Sequence, residues 1–345
     1  MTLQLNLLNV IIKLRVKKDF TQIGVAIMDR VKVILDTDPG VDDNNALVYV
    51  LNDNRFDIEL ITISNGNIGI EQSTRNVLHL LDVFNKDIPV VKGYEKRMGD
   101  NTEDAKFLHG EEGLGNYIPP KKTRHKALKK DCADAIYDVI RKYPGEVTIA
   151  VLGPHTNVGY LLTKYPDAGK YIKDFIMMGG APDGILTNPN HTSFNVRTDA
   201  PAFKKTIETG LPIVMCPSRI GRDVSHFTEE QVHDIASRGT IGKYLATTYE
   251  TYWEHGYPDE RISTCDISAI YFLVRPDLYT YIKCDIDLDT TNCIGKTTAI
   301  PNENGQFKLI KDVKREEIQK MFFDLLDEIN KVELHDEYFI KTNKQ

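Results

Sequence analysis

Four carboxylates fall within eight residues of one another at the end of an apolar run, Val31-Lys-Val-Ile-Leu-Asp36-Thr-Asp38-Pro-Gly40-Val-Asp42-Asp43. Like charges at that spacing repel unless a cation holds them, and donors that are all oxygen suit a hard ion, Ca²⁺ or Mg²⁺, better than zinc. A plainer reading is a turn rich in helix-capping acids, but one cap does not need four. The β-branched run reads as a buried strand that Pro39-Gly40 must end. Ala46 to Leu51 then suggests a helix starting near Asp43. The acids therefore lie between the carboxyl end of a strand and the amino end of a helix, where open α/β sheets bind ligands.

The stretch Asp36-Thr-Asp38-Pro-Gly-Val-Asp42-Asp43 resembles the signature of the inosine-uridine preferring nucleoside hydrolase family. The resemblance implies hydrolysis of the N-glycosidic bond of ribonucleosides to free base and ribose, with Ca²⁺ as cofactor, and a place in nucleoside metabolism and purine or pyrimidine salvage. A haloacid-dehalogenase-type phosphatase also opens with Asp-x-Asp after a strand. It wants Thr or Val two residues after the second Asp, where this chain has Gly40.

Carried over residue by residue, the resemblance makes Asp38 both an ion ligand and the general base on the ion-bound water. Asp43 would chelate the ion, Asp42 would hydrogen-bond a ribose hydroxyl, and Asp36 would support the cluster. Gly153-Pro-His-Thr156-Asn157 resembles the family's Gly-Pro-Leu-Thr-Asn, whose Thr lends a backbone carbonyl to the ion. Asn67, Asn188 and Asn195 fall where sugar-binding asparagines are expected, Asn195 within Phe194-Asn195. Cys265-Asp266 stands where the family commonly has His-Asp, so Asp266 would be the last carboxylate on the ion. His109-Gly110 resembles the His-Gly of the loop that closes over the base.

Two departures from the pattern bear on chemistry. Ser193 stands where the family has a ribose-binding Glu, and Cys265 stands where many members have the His assigned to protonate the leaving base. A thiol with an ordinary pKa of about 8.5 is protonated at neutral pH and can donate, less readily than imidazolium. Cys265 and His109 are thus the base-side candidates, with His191 more distant. Two other functions compete with nucleoside hydrolysis. One is hydrolysis of another N-riboside, such as nicotinamide riboside. The other is a Ca²⁺-dependent ribose or nucleoside sensor with little turnover, which the two departures favour and the persistence of Asp38 opposes.

The elements that must position these residues follow from periodicity. Strands are expected at Ile58–Ile63, Ile88–Val91, Val147–Leu152, Phe175–Met178 and Leu211–Cys216. Helices are expected at Ile70–Phe84, Asp131–Lys142, after Asn157 to about Lys164, from near Asp199, twice within Thr228–Glu254, and at Cys265–Val274. Tyr281–Ile286, Cys293–Ile300 and Phe307–Ile310 alternate as antiparallel strands would, and Lys314–Ile329 closes the chain as a helix. Lys92–Arg124 has little periodicity, and a loop that long is usually functional. The fold class is α/β: one domain, a mostly parallel open sheet covered on both faces, with antiparallel strands near the C-terminus.

The bulk numbers fit a soluble protein that is 41% apolar and 27% charged. A net charge of −7 without a basic run argues against a nucleic-acid partner. The five cysteines are scattered without CxxC spacing, which suggests neither zinc nor a disulfide framework and favours a reducing, cytoplasmic setting. Leu3–Ile12 is too short to span a bilayer and its basic residues follow it, the reverse of a secretory signal. Residues 1–29 read as an extension and 30–345 as the nucleoside hydrolase-like domain. Homo-oligomers are usual in the resembled family, but no residue here marks an interface.

Overall fold

β1 (Val31–Thr37) is buried on both faces, which is why it reads as an unbroken apolar run: Val33 and Leu35 enter one core and Ile34 the other. The structure is a computed structural model that describes residues 30–182, 191–255 and 261–331. Asn188 and the expected extension over 1–29 lie outside the described residues.

The other strands are β2 (Phe56–Ile63), β3 (Val90–Lys92), β4 (Val147–Val151), β5 (Ile172–Met178), β6 (Ile213–Cys216), β7 (Tyr279–Asp289), β8 (Lys296–Pro301) and β9 (Phe307–Val313). They form one nine-stranded sheet in the order β3-β2-β1-β4-β5-β6-β9-β7-β8. The expected α/β architecture is present, with one difference at the C-terminal end. β9 was expected to be antiparallel like its neighbours, yet it pairs parallel with β6 and antiparallel with β7. It joins the long parallel block to the β7–β8 hairpin, a role that alternation of side chains cannot reveal.

Helices cover both faces. Val41–Val50, Ile70–Phe84, Cys265–Tyr271 and Arg315–Ile329 bury their apolar residues in one core, and Cys132–Lys142, Thr156–Lys164 and Ala200–Glu208 in the other. The first helix starts at Val41, two residues before the expected Asp43, with Gly40 as its cap. None of its ten residues is exposed, and it packs against Cys265–Tyr271. The long segment before Arg124 contains one short helix, Lys106–His109. No helix among the described residues is long and apolar enough to cross a membrane.

The chain leaves β1 toward β2 on one side and returns through β4 on the other, so the strand order reverses between β1 and β4. Ligand crevices of open parallel sheets form at the carboxyl ends of such strands. Asp38 follows β1, Asn67 follows β2, and Thr156 follows β4.

Candidate active site

Asp36 ends β1 opposite Thr62 and Val151. Its Oδ1 accepts from Thr62 Oγ1 and Asn157 Nδ2, both at 2.7 Å. Burial still pushes its pKa up to about 7, against those two bonds. Asp36 thus braces the carboxyl ends of three strands through its neighbours.

Asp43 is the most fully satisfied of the acids. Thr37 Oγ1 donates to its Oδ1 at 2.6 Å, and Gly40 N and Asn67 Nδ2 donate to its Oδ2, each at 3.1 Å. The bond from Gly40 is a helix-cap bond, so the plain capping explanation holds for this residue. It does not hold for Asp38 or Asp266. Asp38 Oδ2 accepts from Asn67 N at 2.9 Å, but its Oδ1 and both oxygens of Asp266 are buried with no hydrogen-bond partner among the described residues. Gly66 and Gly153 pack so closely on Asp38 that a Cβ on either would overlap its carboxylate.

The packing of Val41–Val50 on Cys265–Tyr271 brings oxygens of Asp42, Asp43 and Asp266 within 4.8 Å of one another. Burial, then the charges of Asp43 and Asp42, hold Asp266 well above the usual carboxylate range, and burial with the charge of Asp43 does the same to Asp38. Unpartnered buried carboxylate oxygens around one point are costly unless a cation completes them. The oxygen-only donor set fits a hard divalent ion. Asp42, expected on the sugar, is thus drawn into the cluster as well.

Of these acids only Asp42 lines the cavity of about 300 Å³ above the cluster. Asn67 and Asn195 share its wall. Asn67 Nδ2 donates to Asp38 O at 3.1 Å as well as to Asp43, and Asn195 Nδ2 donates to Leu152 O and to Met178 O. With both amide nitrogens committed to carbonyls or carboxylate, each side-chain carbonyl is left to receive a hydroxyl. Thr156 is buried, and its hydroxyl donates to Asp199 Oδ2 at 2.6 Å. Ser193 Oγ accepts from Gly180 N at 2.7 Å, so it braces the turn after β5.

Other lining residues stand on short helical pieces and the segments around them. His109 is buried, and its Nδ1 accepts from Val41 N at 3.1 Å. Burial lowers its pKa to about 3, so the ring is neutral. Cys265 Sγ donates to Ser218 O at 3.3 Å and accepts from Ser263 Oγ at 2.9 Å. Burial and the charge of Asp42 push this thiol up, so it keeps its proton. His191 and Arg222 also line the cavity, and Phe107 stands 68% exposed beside it. A larger depression of about 900 Å³ runs along the Arg315–Ile329 helix and includes none of the cluster acids.

The comparisons with known proteins decide the family. A family model described as inosine-uridine preferring nucleoside hydrolase matches residues 33–320. The chain belongs to this family. The non-specific ribonucleoside hydrolase RihC of Salmonella newport is 32% identical over 277 residues, 79% of this chain and 88% of the relative. Among solved structures, a plant nucleoside hydrolase, the PpNRh1 enzyme, superposes with a TM-score of 0.78 at 28% identity, covering 86% of this chain and 98% of that one. A purine-preferring ribonucleoside hydrolase from Gardnerella vaginalis gives a TM-score of 0.80 at 25% identity, covering 88% and 100%. The enzyme class expected from the acidic motif, an N-ribosyl hydrolase, is the one this nucleoside hydrolase family represents.

Some parts of the nucleoside hydrolase site were not singled out from sequence. Asp199 ties Thr156 to the main-chain N–H groups of Met98 and Gly99 at 2.9 and 3.1 Å. Arg97 is buried and donates to Asn65 O and Asn101 O, each at 3.1 Å, which steadies the loop that carries Asn67. Of the two, only Asp199 carried a signal, as the expected start of a helix, whose first turn it caps.

Proposed function

We propose that this chain hydrolyses the N-glycosidic bond of ribonucleosides to free base and ribose. The ion would be Ca²⁺, held by Asp38, Asp43, Asp266 and the backbone carbonyl of Thr156. The observation that carries this reading is the set of buried, unpartnered oxygens on Asp38 and Asp266 at the sheet crossover. When bound, Ca²⁺ lowers the pKa of the attacking water and fixes the sugar diol.

The chain's own residues supply the rest. Asp38 takes the proton of the attacking water on Oδ1, while the Asn67 N–H on Oδ2 holds the carboxylate in place. Asp42 and the carbonyls of Asn67 and Asn195 receive ribose hydroxyls and turn the anomeric carbon toward Asp38. Asn188 is retained as a further sugar contact on the resemblance alone. As the bond breaks, the ribosyl group gains positive charge, which the carboxylates favour. Cys265 and His109 would face the base, as neutral groups hydrogen-bonded to the main chain. The absence of a disulfide among Cys132, Cys216, Cys265, Cys284 and Cys293 supports a reducing, cytoplasmic setting.

Ribose release from a panel of nucleosides, with and without Ca²⁺ chelation, tests the reading. Release that stops on chelation supports it, and the panel names the base. Ser193, which lines the cavity with a short hydroxyl that accepts from Gly180 N, favours one second reading, a different N-riboside such as nicotinamide riboside. Release from that compound alone would select it. Tight Ca²⁺-dependent ribose binding with no release from any riboside would select the sensor.

A further inference from the structure

Breaking the C–N bond sends its electron pair to the base, and the two base-side candidates carry no charge to stabilise it. His109 Nδ1 accepts from Val41 N, which fixes a neutral ring with its one proton on Nε2. The Cys265 thiol donates to Ser218 O and so aims its proton at the main chain. Two permanent cations line the cavity, Arg197, whose guanidinium is paired with Glu103, and Arg222.

The position of Arg222 is built. Thr264 N donates to Gly221 O at 3.2 Å. Gly221 packs so tightly on Cys265 that a Cβ there would overlap the Cys265 main chain. That contact presses the segment carrying Arg222 against the start of the Cys265–Tyr271 helix. Asp223 holds the guanidinium in plane, with Nε at 3.0 Å and Nη2 at 3.1 Å from its two oxygens. The Asp223 side chain is 41% exposed against 18% for Arg222, so solvent screens the acid more than the base. Asp42, Asn67 and Asn195 line the same cavity. A riboside whose sugar meets those three residues has its base inside the cavity that Arg222 also lines.

We propose that Arg222 stabilises the departing base, its guanidinium donating hydrogen bonds to an exocyclic oxygen or ring nitrogen as negative charge develops there. The inference rests on the hydrolase reading above. The C–N electron pair leaves with the base, which takes a proton from bulk water after departure. The proton of the attacking water goes to Asp38 and then to solvent, so riboside and water give ribose and neutral base. Arg suits the task because its charge is permanent and its planar fork matches oxygen and ring-nitrogen acceptors.

The test compares wild type, Arg222→Gln and Arg222→Lys on inosine, uridine and 4-nitrophenyl riboside, whose leaving group departs as a stable anion without help. The expected result is a loss of about 10²-fold in kcat for Arg222→Gln on the two nucleosides, and under about threefold on the nitrophenyl riboside. Arg222→Lys should recover part of the nucleoside activity. Equal losses on all three substrates, or no loss on any, would overturn the assignment. A wild type inert toward every riboside would instead overturn the hydrolase reading, and this inference with it.

Discussion

The two walls of the cavity are built in opposite ways. The carboxylate wall stands on strand ends and helix starts, and nearly every polar atom in it is committed: Asp36 to Thr62 and Asn157, Asp43 to Thr37, Gly40 and Asn67, Asn195 to Leu152 and Met178. Among the described residues, the buried carboxylate oxygens left without a hydrogen-bond partner are Asp36 Oδ2, Asp38 Oδ1 and both Asp266 oxygens. The base wall stands on short pieces, such as the four-residue helix Lys106–His109 with Phe107 largely in solvent, and on loop residues such as the half-buried His191. Rigid elements fix the atoms that must meet at one point, and short pieces and loops can change the base accepted without disturbing them.

The largest effects should come from the rigid wall. Asp38→Asn removes the proton acceptor and keeps the shape, so kcat should fall by about 10²–10⁴-fold while the fold survives. Asp266→Asn should weaken Ca²⁺ binding in calorimetry, because the helix start would lose a charged ligand. Undiminished turnover by Asp38→Asn would reduce the two walls to one kind. Phe107→Ala, on the base wall, should change the ratio of kcat/KM between bases by about tenfold and leave Ca²⁺ affinity alone.

Removing the ion should separate the walls by pH. Without Ca²⁺ the folded carboxyls have raised pKa values, Asp36 to about 7 and Asp38, Asp43 and Asp266 upward through burial. Their folded state holds protons that the unfolded chain has released, so that stability is lost as pH rises through the folded values. Chelation should therefore lower Tm more at pH 8 than at pH 5.5. The buried histidines act the other way. Burial lowers His79 to about 4 and His155 to about 3. Their contribution is intact above the unfolded value near 6.5 and declines as pH falls toward those numbers. Chelated protein should be most stable between the two regimes, and a Tm that rises steadily to pH 8 without Ca²⁺ would refute the carboxylate part.

The contrast also explains what the sequence could reveal. Asp38, Asp43 and Asp266 were legible because one apolar strand, one Pro-Gly break and two helix starts fix where they go. The parallel sheet followed from the spacing of strands and helices. The site roles of Arg97 and Asp199 were not legible, since both act on main-chain groups of loops whose path no periodicity encodes. Asn67 and Asn195 were legible as residues, whereas the outward turn of their carbonyls follows only from the carbonyls and carboxylate they face. On the base wall the sequence named Cys265 and His109 as acids. It could not show that Ser218 O and Val41 N already engage them.

The smallest predicted effect is on that last point. Cys265→Ser keeps a donor for Ser218 O and an acceptor for Ser263 Oγ, in a slightly smaller volume at the start of the Cys265–Tyr271 helix. If the thiol protonated the base, exchanging it for a far weaker acid would cut kcat sharply on inosine and spare 4-nitrophenyl riboside. If it is a packed main-chain tether, both substrates should fall together and by no more than about threefold, the scale of one altered hydrogen bond. The geometry favours the second outcome, because the thiol donates to the Ser218 carbonyl, while Arg222, which lines the same cavity, carries a lasting charge. A selective loss on inosine would return the acid role to Cys265 and reduce Arg222 to an electrostatic bystander.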